Sequence, residues 1–192
     1  MDLNHEFTVN VPISDAWNIL TDLERIAPCL PGAQLTEVEG DIYRGLVKVK
    51  VGPIVAQFKG QASFLSRDDA AHTATLKAEG RDATGKGNAS ALITAQFTSL
   101  SPGSTKCAIH TDLTISGKVA QFGRGALADV SDKLLAQFSE NLNQLITSGT
   151  TISVSEAVPI NLLQTVGAPV IKRLIPAVVA IAVLVIVFRV IT

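Results

Sequence analysis

Apolar and polar side chains alternate with a period of two along the first 116 residues, the pattern of half-buried strands. Leu3, Phe7, Val9 and Val11 alternate with Asn4, Glu6, Thr8 and Asn10. Tyr43, Val47, Val49 and Val51 alternate with Arg44, Lys48 and Lys50, and Gly52-Pro53 then makes a turn. Ile54, Ala56, Phe58, Ala62 and Phe64 follow, set against Gln57, Lys59 and Gln61. Similar runs occupy 74–78, 89–97 and 107–115, with polar turns such as Arg67-Asp68-Asp69 and Ser101-Pro102-Gly103-Ser104 between runs. The pattern predicts an antiparallel meander with one dry face and one wet face. His5, His72 and His110 fall on the wet phase or in a turn and read as surface residues.

Two regions depart from this period. After the first strand, Pro12-Ile13-Ser14-Asp15-Ala16-Trp17 reads as a helix start, with Ser14 or Asp15 as the cap and Trp17, Leu20 and Leu23 on one side. That segment ends at Pro28-Cys29-Leu30-Pro31-Gly32. From about 119 to 146 the period becomes helical: Leu127, Val130, Leu134, Phe138, Leu142 and Leu145 lie three or four apart. One strand, short helices, a six-strand meander and a long helix make an α+β chain in which a curved antiparallel sheet wraps a C-terminal helix, the helix-grip architecture.

The dry face of this sheet is unusually small. Ala56, Gly60, Ala62, Ala74, Ala78, Ala89, Ala91 and Ala95 all fall on the inward phase. Interiors normally fill to a packing density of about 0.74, so small residues there mean either a closer sheet–helix contact or open volume. We expect open volume, and apolar volume of this kind takes apolar ligands. The expected lining is Trp17, Leu20, Val47, Val49, Phe58, Ala62, Phe64, Leu76, Ala91, Ile93, Ala95, Ile109 and Leu113, with Leu127, Val130, Leu134 and Phe138 from the helix. For Trp17, core packing is the competing reading. Near the start of the long helix, Gly123 and Gly125 bracket Arg124, each glycine costing about 1 kcal/mol of helix stability. They point to a bend or mobile mouth, or else to close approach of helix and strand. Gln121, Phe122 and Arg124 are candidates to face a partner or a ligand head group.

The far end of the chain has a different character. Residues 174–191 read LIPAVVAIAVLVIVFRVI, with Arg189 as the sole charge. As a helix this segment reaches about 27 Å, close to the roughly 30 Å hydrocarbon core of a bilayer. It is expected to be a membrane anchor. Lys172 and Arg173 precede it, and the N-terminus carries no basic and apolar leader, so the expected location is the cytoplasmic face of the cell membrane. The Ser-, Thr-, Gly- and Pro-containing stretch 147–173 reads as a flexible linker, leaving 1–146 as the ligand-binding domain. With 16 basic and 17 acidic residues the chain has a formal net charge of −1, and no electrostatic reason to bind nucleic acid. Cys29 and Cys107, distant and without CxxC spacing, suit a reducing compartment.

Signals of catalysis are absent. No HExxH, GxSxG or metal-spaced Cys/His set occurs, and Gly80, Gly85 and Gly87 are followed by no Lys-Ser/Thr pair, so they are not a phosphate loop. Thr111 is a rare polar residue on the inward phase. No metal site and no covalently held cofactor are expected.

Four segments carry a resemblance: PISDAWNILTDLERIAPCLPGA at 12–33, GDIYRGLVKVKVGPIVAQFKGQA at 40–62, GRDATGKGNASA at 80–91 and GKVAQFGRGALADVSDKLLAQFSENL at 117–142. Together they resemble the carbon monoxide dehydrogenase CoxG family, a branch of the START/Bet v 1-like (SRPBCC) superfamily. The resemblance implies a non-enzymatic accessory protein of a molybdenum hydroxylase of the carbon monoxide dehydrogenase type, placing that enzyme at the cytoplasmic membrane. If the enzyme's acceptor is a lipid-dissolved quinone, a tethered domain with an oily cavity can lift it out, since each buried CH₂ is worth about 0.8 kcal/mol. The expected ligand is a menaquinone-like lipid, and the expected partners are the dehydrogenase, the quinone and the membrane. Two alternatives stand beside this: an adaptor that only recruits the dehydrogenase, and a cyclase- or hydrolase-like enzyme acting on a hydrophobic substrate.

Overall fold

The computed structural model describes residues 1–85 and 87–148. Most of the expected linker and all of the expected anchor helix lie outside the described residues. Among the described residues, no helix is long and apolar enough to cross a membrane.

The alternating runs become strands: β1 (Asp2–Val9), β2 (Ala33–Glu39), β3 (Ile42–Val51), β4 (Ile54–Asp68), β5 (Thr73–Asp82), β6 (Asn88–Ser101) and β7 (Ser104–Ile115). Helices α1 (Ile13–Leu20) and α2 (Leu23–Ile26) follow β1, and a single 3-10 turn, Ala27–Cys29, leads into β2. A second 3-10 turn, Lys118–Phe122, precedes the long helix α3 (Gly123–Ser148). The seven strands form one sheet in the order β1-β7-β6-β5-β4-β3-β2, every pair antiparallel. The expected helix-grip arrangement of a curved sheet and a long C-terminal helix is present.

The structure differs from the sequence expectation at four places. Strand β2 shows no clean alternation because its register shifts between Leu35 and Glu37, and a bulge there inverts the phase of the residues after it. Helix α1 starts from Pro12, with no side-chain cap, so neither Ser14 nor Asp15 caps it. The long helix begins at Gly123, not near 119, because Gly123 has φ +78° and ends the 3-10 turn before it. His5 is no free surface residue: it lies on the helix-facing phase of β1, and its Nε2 sits 3.0 Å from Asp132 Oδ1 of α3.

A transverse row of glycines crosses the curved sheet. Gly45 of β3 lies opposite Gly60 of β4, which lies opposite Gly80 of β5. A Cβ at Gly45 would come within 2.6 Å of the Gln34 carbonyl oxygen, and one at Gly60 would collide with the Glu79 carbonyl. The backbones can close on one another only because both side chains are missing.

The space between sheet and α3 is filled at one end. Leu142 and Leu145 of α3, Val9 of β1, Trp17 of α1, Phe97 of β6 and Cys107 of β7 form a tight core, with Phe97 5.3 Å edge-on from Trp17. Each fully buried large aliphatic side chain there contributes about 2 kcal/mol. Thr105, also fully buried, satisfies its hydroxyl on the Val11 carbonyl at 2.9 Å. At the other end a smaller cluster gathers Val51, Ala56, Phe58, Val119 and Leu127.

Candidate functional site

Between these two clusters the sheet and helix do not meet. They leave between them a partly open cavity of about 480 Å³, within the range of small-molecule sites. Its helix wall is the stretch of α3 from Leu127 to Phe138, with Leu127, Val130, Ser131, Leu134 and Phe138. Its sheet wall is the inward phase of β3 to β7. There Val47, Val49, Phe58, Leu76, Ile93 and Leu113 surround a floor of Ala62, Ala78 and Ala91. These alanines are direct neighbours across β4, β5 and β6: Ala62 is paired with Ala78, and Ala78 with Ala91. The volume is the space that larger side chains at these positions would fill.

Of the expected lining residues, Val47, Val49, Phe58, Ala62, Leu76, Ala91, Ile93, Leu113, Leu127, Val130, Leu134 and Phe138 are brought together around the cavity. Trp17, Leu20, Phe64, Ala95 and Ile109 are not. Trp17 belongs to the solid core, and Leu20, Phe64 and Ala95 pack against that core. Alternation alone gives the face a residue points to, not its distance along the strand, and the same inward phase runs from the hollow end to the filled one. Ile109 lies paired between Ala95 and His5, beyond the cavity wall. Trp17 thus takes the core-packing reading. Its indole N–H donates to Asp69 Oδ1 at 2.8 Å, and His72 packs edge-on against its ring at 5.6 Å.

Several lining residues were not expected. Leu23 and Ile26 of α2, Ala27 and Leu30 around the first 3-10 turn, and Ala33 and Leu35 of β2 close a side of the cavity. Their elements are too short, or too irregular at the bulge, to carry a readable period. Tyr43 and Gly45 continue the inward phase of Val47 and Val49, so the β3 alternation already pointed to them.

The wall is almost entirely apolar. On the cavity's own phase the polar groups are the Tyr43 phenol and the Ser131 hydroxyl. Gln34, Gln61, Glu79 and Ser90 reach the lining from the outward phase, and the Glu79 carboxylate is held by Lys77 at 2.7 Å. No histidine or cysteine lines the cavity. Both thiols are buried elsewhere: desolvation pushes Cys29 above its ordinary value and Cys107 up to about 12. Among the described residues no group of three or more His, Cys, Asp or Glu is placed to hold a metal ion. Such a wall can desolvate a hydrocarbon or ring system and offer one or two hydrogen bonds to it. It supplies no paired acid and base on the cavity's own phase.

Phe122, Gly123, Arg124 and Gly125 do not line the cavity. Phe122 packs on the Val51–Val119–Leu127 cluster that closes one end, and its ring lies over Gly52 in the β3–β4 turn. Arg124 is exposed, as is Gln121. A Cβ at Gly123 or Gly125 would meet nothing within 4 Å, so close approach of helix and strand does not explain either glycine. The bend does explain Gly123, through its positive φ.

Solved proteins share this architecture. A conserved protein from Geobacillus kaustophilus superposes with a TM-score of 0.69 at 17% identity, over 78% of this chain and 97% of that one. A START superfamily protein from Mycobacterium smegmatis gives 0.55 at 12% identity, over 78% and 99%. The Zhui aromatase/cyclase from Streptomyces sp. R1128 gives 0.53 at 15% identity, over 75% and 92%. At these identities the likeness is one of fold. No curated protein matches in sequence. The family model for the CoxG subunit of carbon monoxide dehydrogenase matches residues 6–147, nearly the whole described body, and the chain belongs to that family.

Proposed function

We propose that this chain is a membrane-tethered accessory protein of a molybdenum-type carbon monoxide dehydrogenase. In this reading it carries a menaquinone-like lipid in its cavity and links the enzyme to the respiratory quinone pool. The observation that carries the reading is the cavity: about 480 Å³ of apolar volume in a domain that could have been packed solid. Family membership supports the dehydrogenase as partner. The apolar segment 174–191 supports attachment to the cytoplasmic face of the membrane.

The cavity favours a carrier over an adaptor that merely docks, since a docking role needs no hollow. It also favours a carrier over a cyclase- or hydrolase-like enzyme. Two hydroxyls on the cavity's own phase can orient a quinone carbonyl but do not form an acid–base pair. The test is mass spectrometry of organic extracts from protein purified out of its native membrane. A quinone or other isoprenoid lipid in stoichiometric yield is the expected result. Protein free of any lipid, and unable to take up a quinone from vesicles, would leave only the adaptor.

A further inference from the structure

Several cations on the outer face of the sheet are paired with acids, and three at one corner have no acidic partner among the described residues. On β3, Arg44 reaches Glu39 at 2.7 Å and Glu37 at 3.4 Å. On β5, Lys77 reaches Glu79 at 2.7 Å, and on β7 Lys106 reaches Glu6 at 3.3 Å. Lys48, Lys59 and Arg81 have no such partner among the described residues. Lys59 of β4 stands directly opposite Arg81 of β5. Like charges facing across a strand pair lie about 5 Å apart at Cβ and destabilise it. Lys48 sits diagonally from Lys59, whose own β3 partner is Leu46. Lys50 continues the same face of β3. The nearest carboxylate in sequence, Asp82, is engaged by the Thr84 hydroxyl.

The corner also carries an apolar tip. Beside Lys50 and paired with it is Val55, 48% exposed, just after the Gly52-Pro53 turn. Lys118 and Arg124, both exposed, flank Phe122, whose ring reaches Gly52 of that turn. A one-sign cluster in a chain of net charge −1 is segregation, not a general basic character. Cations on the same sheet face as an exposed apolar side chain at its turn match a bilayer interface, where anionic headgroups overlie acyl chains. An acidic protein surface would match the charge and leave the exposed tip without a role.

We infer that this corner of the sheet, built on Lys48, Lys59 and Arg81 with the β3–β4 turn, docks the body onto an anionic lipid surface. The contact is made by the folded body itself and does not depend on what the cavity holds. It sets the end of the cavity closed by Val51 and Val119 towards the headgroups.

The experiment uses residues 1–148. Solved proteins of this fold are almost wholly such a body, at 97% and 99% of their chains, and a cooperative thermal melt of residues 1–148 is recorded before any binding is read. Flotation with phosphatidylcholine vesicles, with and without phosphatidylglycerol, reads the contact. Binding should require phosphatidylglycerol, weaken as salt rises, and fall about tenfold or more in the Lys59→Glu/Arg81→Glu double variant. Lys106→Gln, on a distant and already paired cation, should bind as the parent does. If the double reversal fails to fold, Lys59→Gln/Arg81→Gln gives the same reading with a smaller loss. A body that ignores anionic vesicles overturns the inference, as does a reversal without effect or a Lys106→Gln loss of equal size. So does a reversal that abolishes binding to an acidic protein partner while vesicles are never bound. Quinone uptake by the double variant in detergent stays at the parental level, so failure here is distinct from failure of the carrier reading.

Discussion

Trp17 of α1 and Asp69 of the β4–β5 connection are joined by a 2.8 Å hydrogen bond across 52 residues of sequence. This bond locks the short helix over the filled end of the sheet and satisfies the one polar atom of a side chain that is otherwise core. Trp17→Phe leaves the Asp69 carboxylate in solvent reach and keeps most of the ring packing. It should cost about 1–2 kcal/mol. Trp17→Ala also opens a hole against Phe97 and should cost about 3–5 kcal/mol. Urea melts of both variants check the order, and neither should alter the capacity of the distant cavity for an apolar probe.

The alanine floor makes the opposite prediction. Ala78 lies between Ala62 and Ala91 and faces open volume. Ala78→Leu should therefore leave stability within about 1 kcal/mol of the parent or raise it, because the added methylenes bury apolar surface without displacing a neighbour. Binding of a quinone or of a fluorescent fatty acid analogue should weaken at least about tenfold, as the ligand loses the volume the side chain takes. Calorimetric titration alongside a thermal melt separates the two effects.

The two glycines at the head of α3 should part company. Gly123 has φ +78° and ψ 170°, a region in which a side chain is strained by about 1–3 kcal/mol. Gly123→Ala should lower stability by that order. Gly125 lies within the helix, and a Cβ there meets nothing. Gly125→Ala should be neutral or add up to about 1 kcal/mol. If the joint also moves to admit ligand, Gly123→Ala slows exchange in stopped-flow and Gly125→Ala does so less. Equal exchange rates in both variants and the parent would remove the hinge.

Burial holds Cys107 neutral, its pKa pushed from an ordinary 9.0 to about 12 by desolvation. Below pH 9 both folded and unfolded chains keep this proton, and the stability contribution is complete. As pH rises from there towards about 12, the unfolded thiol ionises first, and stability falls. Cys29 acts in the same direction. Chemical denaturation at pH 8 and pH 10 should show the loss, and Cys107→Ala should remove part of it. Iodoacetamide should label neither thiol at pH 8 until the chain unfolds.

Most of the architecture was readable because its elements are long. Strands of ten or more residues such as β3 and β4 repeat their period often enough to declare both their existence and their inward face. The stripe Leu127, Val130, Leu134 and Phe138 did the same for α3. Small inward residues announced spare volume, and Ala62, Ala78 and Ala91 do border it. Yet Ala56 and Ala74, of the same phase and size, are packed solid. The difference is set by how far α3 stands from the sheet at each height, which no local pattern encodes. The wall from α2 to β2 stayed hidden for a related reason. A four-residue helix, a proline-containing turn and a bulged edge strand have their faces assigned by contacts distant in sequence. The pairing of Lys59 with Arg81 likewise depends on strand register, which the composition of either strand leaves open.

The glycine row across β3, β4 and β5 divides the positions this molecule can vary from those it cannot. Any single substitution at Gly45 or Gly60 drives a new carbon into a neighbouring peptide group, so the close approach of these strands is effectively invariant. Positions 62, 78 and 91 carry no such restriction, and each can grow or shrink by a methylene at a time. Relatives should accordingly diverge in which molecule they carry by resizing the floor, while the frame that surrounds it keeps one shape.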